Sequence, residues 1–103
     1  MPLHIEEQQK GHTLVLKLAG VMDYSTIDGF EPSIPEKTGE VVVDFSALDF
    51  IDSTGIGAIL LIIHSAHEQD AAVKFTGLDD NIKELFDTVG VFRILESLRK
   101  RGR

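Results

Sequence analysis

The sequence contains no cysteine. That excludes a disulfide framework and any thiolate metal site, and it fits an intracellular protein. Long apolar runs are missing too. The longest, Ile56 to Ile63, is interrupted by Gly57, and it is far shorter than the roughly 20 residues a membrane-spanning helix needs. Membrane insertion is therefore not expected. Nor is a signal peptide, because His4, Glu6, Glu7 and Gln8 place polar groups near the start. The expected location is cytoplasmic. Positive charge is scarce: Lys and Arg number 10 against 17 Asp and Glu, for a net charge of −7. Arg99, Lys100, Arg101 and Arg103 hold four of those bases, which leaves residues 1–98 at −11. Such a body repels phosphate backbones, so direct nucleic-acid binding is excluded. Residues 99–103 read as a basic, flexible tail.

Several chemical signatures are also absent. Gly55-Ile56-Gly57 lacks the third glycine of a dinucleotide fingerprint, and there is no Walker lysine. There is no Gly-x-Ser-x-Gly elbow. His64 and His67 are spaced for one helix face, but no third ligand cluster accompanies them, so no metal is expected. His64 also lies eleven residues after Ser53, roughly 15 Å or more along a helix axis, too far to serve that hydroxyl as a base. His4 and His12 fall on the opening hairpin. Asp44 and Asp52 read as a strand-end charge and a helix cap rather than, with Asp49, a hard-cation site. The chain is expected to be neither an enzyme nor dependent on a cofactor.

What remains is the material of one compact domain over residues 1–98, with 43% hydrophobic content. Leu14, Leu16 and Leu18 alternate with Thr13, Val15 and Lys17, which is a strand pattern. A weaker strand at Leu3 to Glu7 pairs with it through the Gln8–Gly11 turn. Ser25 and Thr26 suit the cap of a short helix that Gly29, Pro32 and Pro35 cut off. Glu40 to Phe45 is a β-branched run suited to a strand covered on both faces. A helix is expected from about Thr54 to Gln69, a strand at Ala71 to Thr76, and a helix opened by Asp79 and Asp80 and closed by Gly90. Val91 to Leu95 reads as a last short strand or a strand running into a helical turn. The order ββαβαβαβ implies an α/β fold with a mixed, mostly parallel sheet, helices packed on it and an N-terminal hairpin.

Asp44-Phe45-Ser46-Ala47-Leu48-Asp49-Phe50-Ile51-Asp52-Ser53-Thr54-Gly55-Ile56-Gly57 is the most informative stretch. A buried strand delivers the chain to a surface loop, which Leu48, Phe50 and Ile51 anchor to the core. Asp52, Ser53 and Thr54 follow at a helix start, where their oxygens can accept from unpaired backbone N–H groups. Gly55 and Gly57 leave that start bare, so another surface can approach the backbone. Taken alone, the stretch is also what an ordinary capped core helix would show.

The full string resembles the signature of the STAS family of bacterial anti-sigma factor antagonists: an aromatic, an aliphatic, Asp-Ser, Ser or Thr, Gly, then a second glycine. Here these are Phe50, Ile51, Asp52, Ser53, Thr54, Gly55 and Gly57. Leu18-Ala19-Gly20-Val21-Met22-Asp23 resembles the family's turn after the second strand. Ile82-Lys83-Glu84-Leu85-Phe86-Asp87-Thr88-Val89-Gly90-Val91 is similar to its last-helix motif. The resemblance spans about residues 10–95.

It implies a STAS fold and a partner-switching role. Ser53 would be the phosphate acceptor. Asp23, Tyr24, Asp52, Ser53, Thr54, Gly55, Ile56 and Gly57 would form the partner-binding surface. The implied partners are an anti-sigma factor that is also a GHKL-type serine kinase, bound only while Ser53 is unphosphorylated, and a PP2C-type phosphatase that resets the switch. The same fold also serves as a subunit of lipid or anion transport complexes and in stressosome or biofilm regulators. Three features depart from the pattern. The first helix is compressed by Gly29, Pro32 and Pro35. Little sequence follows Leu98 for the closing helix many members carry. Leu61 and Ile62 make the helix after Ser53 apolar nearly all round, to be covered by the remodelled first helix, by a second protein or by a homodimer.

Overall fold

The computed structural model describes residues 3–27, 30 and 33–102, with side chains described as far as Leu98. Strands β1 (Leu3–Lys10) and β2 (Thr13–Met22) form an antiparallel hairpin. β2 pairs in parallel with β3 (Glu40–Ile51), and β3 in parallel with β4 (Ala72–Thr76), so the sheet order is β1-β2-β3-β4. Helix α1 (Ser53–Glu68) crosses from β3 to β4, and α2 (Asp80–Val89) and α3 (Val91–Gly102) close the chain. The expected α/β class, mixed sheet and N-terminal hairpin are all found.

Period-two patterning sets the layers. Leu14, Leu16, Leu18 and Met22 of β2 and Val41, Val43 and Phe45 of β3 are buried in one core with Ile59, Ile62 and Ile63 of α1 and Phe86 of α2. The alternating residues Val15, Val42 and Asp44 lie partly exposed on the opposite face, and Lys17 and Lys74 are exposed there. This corrects the expectation that the Glu40–Phe45 run is covered on both faces. Its outer β-branched member, Val42, sits opposite Val15 across the parallel pair. β-branching satisfied the strand backbone without requiring a second layer.

Two elements also differ from the expected order. Val91 to Leu95 is the start of helix α3, not a strand, so the closing helix is present. Gly90 adopts φ 88° and its N–H donates to the carbonyls of Phe86 and Asp87. That left-handed cap turns the chain from one helix directly into the next. Val91 is buried, and Phe92, Leu95 and Leu98 pack on the core at helical spacing. Phe92 joins Phe75 and Phe86 in an aromatic cluster, 6.4 and 6.0 Å between ring centroids.

Between β2 and β3, no helix is formed among the described residues. Asp23 to Thr26 make one turn instead, and Gly29 and Pro32 lie outside the described residues. Later in this connection Ile34 is buried, and its carbonyl accepts from the Gln69 side chain at 2.7 Å, which ties the segment to the far end of α1. Ile62 is buried in the core, whereas Leu61 remains 51% exposed.

Candidate functional site

β3 runs to Ile51 rather than ending in a loop at Phe45. The pairing with β2 steps from Lys17↔Asp44 to Ala19↔Ala47, and from Gly20↔Leu48 to Val21↔Phe50. β3 therefore holds two extra residues, as bulges. Bulges bend and twist a strand, and here they carry the end of β3 alongside the end of β2. The Asp44 carboxylate braces the first bulge by accepting from the Ser46 N–H at 3.0 Å. That bond is the main reason its carboxyl is held below the ordinary value of 3.8; hydrogen bonds from the Ser46 and Thr76 hydroxyls and the Lys17 charge act in the same sense, against some desolvation.

The two strand ends are then joined at the start of α1. Met22 pairs with Ile51 and both are buried. The next residue, Asp52, donates its N–H to the Met22 carbonyl at 3.1 Å. Asp52 is the N-cap of α1: its backbone is extended, and its carboxylate accepts from the Gly55 N–H at 3.0 Å. Ser53 and Thr54, the first two helical residues, are exposed.

Gly55 is buried, and its role differs from the expected one. A Cβ there would lie 2.5 Å from the Met22 carbonyl oxygen and 2.7 Å from Ile51 Cγ1. The surface that approaches this glycine is the protein's own β2. Ile56 is also buried and packs into the core. These two positions shape the site from beneath. Gly57, by contrast, is exposed, and a Cβ there would meet nothing within 4 Å.

Asp23 begins the turn on the other strand end. Its Oδ1 accepts from the Ser25 hydroxyl at 2.7 Å, the Ser25 N–H at 2.9 Å and the Thr26 N–H at 3.1 Å. Thr26 Oγ1 reciprocates, accepting from the Asp23 N–H at 2.9 Å. Asp23 is thus the cap, where Ser25 and Thr26 were expected to be. The Ser25 hydroxyl leads the groups that hold its carboxyl below 3.8. The next side chain, Tyr24, stands 77% exposed, and Phe50 is 53% exposed on the outer face instead of anchoring into the core. The structure therefore brings Asp23, Tyr24, Phe50, Asp52, Ser53 and Thr54 to one corner. Sequence reasoning missed Phe50 as a surface residue, because it is the second bulge, between Leu48 and Phe50, that turns Phe50 away from the face on which Leu48 and Ile51 are buried.

None of the four histidines lies on the two segments that meet at this corner. His12 lies at the opposite end of the sheet, where its ring Nδ1 is 3.0 Å from the Lys37 carbonyl, and His4 is on the edge strand β1. His64 lies on the exposed side of α1 beyond Leu61. Among the described residues, no group of three or more His, Cys, Asp or Glu is placed to hold a metal ion, and no helix is long and apolar enough to cross a membrane.

The family model for the STAS domain matches residues 4–101. The chain belongs to the STAS domain family. Among curated relatives of this STAS domain, the anti-sigma-B factor antagonist of Staphylococcus aureus is 25% identical over 95 residues, covering 88% of each chain. That of Staphylococcus epidermidis is 27% identical with the same coverage. Among solved structures, a sulfate transporter family protein from Wolinella succinogenes superposes with a TM-score of 0.71 at 15% identity, covering 85% of this chain and 75% of that one. The anti-sigma factor antagonist SpoIIAA in its unphosphorylated form gives 0.60 at 16% identity, covering 82% and 81%. At these identities the structural likeness is one of fold alone.

Proposed function

We propose that this STAS domain is an anti-sigma factor antagonist, a protein-binding switch set by phosphorylation of Ser53. The observation that carries the reading is the Ser53 hydroxyl, exposed at the first position of a helix whose cap is the adjacent Asp52. The curated relatives, which match along most of their length, bear the same name. In this reading unphosphorylated antagonist captures a GHKL-type serine kinase that also acts as the anti-sigma factor. The kinase then moves the γ-phosphoryl of ATP to Ser53 Oγ. The Oγ–P bond forms, the bond to the β-phosphate oxygen breaks, ADP leaves, and the hydroxyl proton goes to a kinase base. A PP2C-type phosphatase hydrolyses the ester, returning serine and inorganic phosphate. The protein acts in the cytoplasm and catalyses nothing itself.

Phosphate adds roughly −1.5 to −2 charges. A helix N-terminus tolerates such charge well, so the fold should hold. The cost falls on the partner's seat, where a dianion flanked by Asp23 and Asp52 would have to be desolvated. An interface penalty of about 3–4 kcal/mol changes affinity several-hundred-fold. The test is to incubate the protein with a GHKL-type serine kinase from the same genome and ATP, then map the modified residue by mass spectrometry. Phosphate on Ser53, lost in Ser53→Ala, is expected. Labelling elsewhere with Ser53→Ala unaffected overturns the reading.

A second reading is a STAS unit of an anion or lipid transport complex, since a sulfate transporter family protein shares this fold. Gene neighbours separate the two: a kinase and a PP2C phosphatase for the first, transporter components for the second.

A further inference from the structure

The three helices pack on one face of the sheet, and among the described residues nothing covers the other. Residues paired across neighbouring strands share a face, so the register gives this outer face row by row. On the two central strands Val15 lies beside Val42, Lys17 beside Asp44, Ala19 beside Ala47 and Val21 beside Phe50. Apolar rows thus stand on either side of one charged row, and the last of them ends in the exposed Phe50 ring. Charge is balanced here. The paired outer positions hold three acids, Glu6, Glu40 and Asp44, and three bases, Lys10, Lys17 and Lys74, on a chain of net charge −7. Glu40 and Lys74 are joined at 3.2 Å. Lys17, in the central row, has no ion pair among the described residues.

We infer that the outer sheet face is a homodimer interface, on which a second copy of this chain packs sheet to sheet about a twofold axis running along the seam between β2 and β3. Such an axis lays each central strand over the other central strand of the second copy. Lys17 then faces the partner's Asp44, Val15 the partner's Val42, Ala19 the partner's Ala47 and Val21 the partner's Phe50. Packed sheets cross at about 30°, which displaces the end rows more than the middle one. The middle row is the charged one, where matched register matters most. The balance of charge selects the occupant. An anionic lipid or nucleic-acid surface would meet three carboxylates, whereas a second copy answers both signs, and two acidic chains can meet here without net repulsion. Four strands at about 4.8 Å spacing and seven residues at about 3.3 Å each give a face of roughly 19 by 23 Å, or about 900 Å² for two copies. That area suits a weak, reversible dimer rather than a permanent one, with a dissociation constant of roughly 100 μM.

The experiment is sedimentation equilibrium of the full chain from about 10 μM to about 1 mM, with the thermal midpoint of each variant measured alongside. The wild type should pass from monomer to dimer across that range. Lys17→Glu, which sets a carboxylate against the partner's Asp44, and Phe50→Lys should each weaken association at least about tenfold. Both side chains are exposed, so their melting points should hold. Leu61→Ser, on α1, should dimerise like the wild type. The chain has no cysteine, so a single introduced thiol reports the interface without weakening it. Ala47→Cys treated with a short bis-maleimide should give a covalent dimer, and His64→Cys, on α1, should not. A wild type that stays monomeric throughout overturns the inference, as does undiminished association of either Lys17→Glu or Phe50→Lys. A dimer lost in Leu61→Ser, or cross-linked through His64→Cys and not through Ala47→Cys, would move the interface to α1 and overturn it as well. None of these results bears on the switch reading, which concerns Ser53 and a different partner.

Discussion

Gly55→Ala is the sharpest probe of how this corner is built. The added methyl would sit 2.5 Å from the Met22 carbonyl oxygen, 2.7 Å from Ile51 Cγ1 and 2.9 Å from Met22 Cγ. The nearest atom is backbone in a paired strand and cannot rotate away, so the start of α1 must lift from the end of β2. Forced overpacking of this kind costs about 1–3 kcal/mol. The lift also strains the hydrogen bond from the Asp52 N–H to the Met22 carbonyl, a further loss of about 1 kcal/mol. Against this, alanine in a helix is favoured over glycine by about 0.5–1 kcal/mol. The net is a destabilisation of about 1–3.5 kcal/mol, or about 5–25 °C in thermal midpoint for a domain of this size. Calorimetric melting and urea titration would measure it; the urea midpoint should fall with the slope unchanged. A Gly55→Ala protein that melts within about 3 °C of the wild type would show that the close approach to β2 is not a constraint.

Three further outcomes are expected. Ser53→Glu places a negative charge in the first turn of α1, where it is favourable by about 0.3–1 kcal/mol; its melting point should hold or rise while kinase binding is lost, and a clear drop in stability would argue that modification unravels the helix instead. Asp44 has a folded pKa below its ordinary value of 3.8, so its carboxylate stabilises the fold above that value and the contribution fades as pH falls through the folded pKa. The stability gap between wild type and Asp44→Asn should therefore be constant from pH 7 to about pH 5 and close below about pH 4; a gap that widens in acid reverses the argument. Thr38 is buried with no hydrogen-bond partner for its hydroxyl among the described residues, so Thr38→Val should be neutral or stabilising by up to about 1 kcal/mol in urea titration, whereas a loss of that size would reveal a partner.

The parts readable from sequence were those where one local rule dominated. The alternation of Leu14, Leu16 and Leu18 placed β2 and its buried face correctly. Asp52 and Asp79 accept from the N–H three residues on in their respective helices, as the cap positions implied, and Gly90 is the left-handed cap it was expected to be. The failures lie where tertiary context decided between two legal patterns. Val91-Phe92-Arg93-Ile94-Leu95 satisfies a short strand and one face of a helix equally well, and only Leu98 and packing on the aromatic cluster select the helix. Ala47 to Ile51 looked like a loop because bulges break simple alternation, yet the chain stays paired to β2 throughout. Ser25 and Thr26 are good caps, but the Asp23 carboxylate took their backbone N–H groups first. At the site, sequence pointed to Asp23, Asp52 and Ser53, which the fold brings to one corner. It could not separate Gly55 from Gly57, because glycine looks the same whether or not its neighbours in the fold crowd the position.

That distinction bears on how a mark on Ser53 would act. The first turn of α1 is clamped: Asp52 binds the carbonyl of Met22, Gly55 rests on the same carbonyl, and the Met22 and Ile51 side chains beneath are buried. Local melting of this turn would expose two large apolar side chains, at about 1.5–3 kcal/mol each. Phosphate at the helix start has no comparable reason to force that opening, since its interaction with the helix dipole is favourable. The strain of the added charge must therefore appear where the protein is not yet committed, at the seat of a partner. A domain whose helix start were loosely held would relieve the charge by fraying and lose its discrimination. On the proposed reading, rigidity at this corner would turn a single covalent change into a difference of affinity.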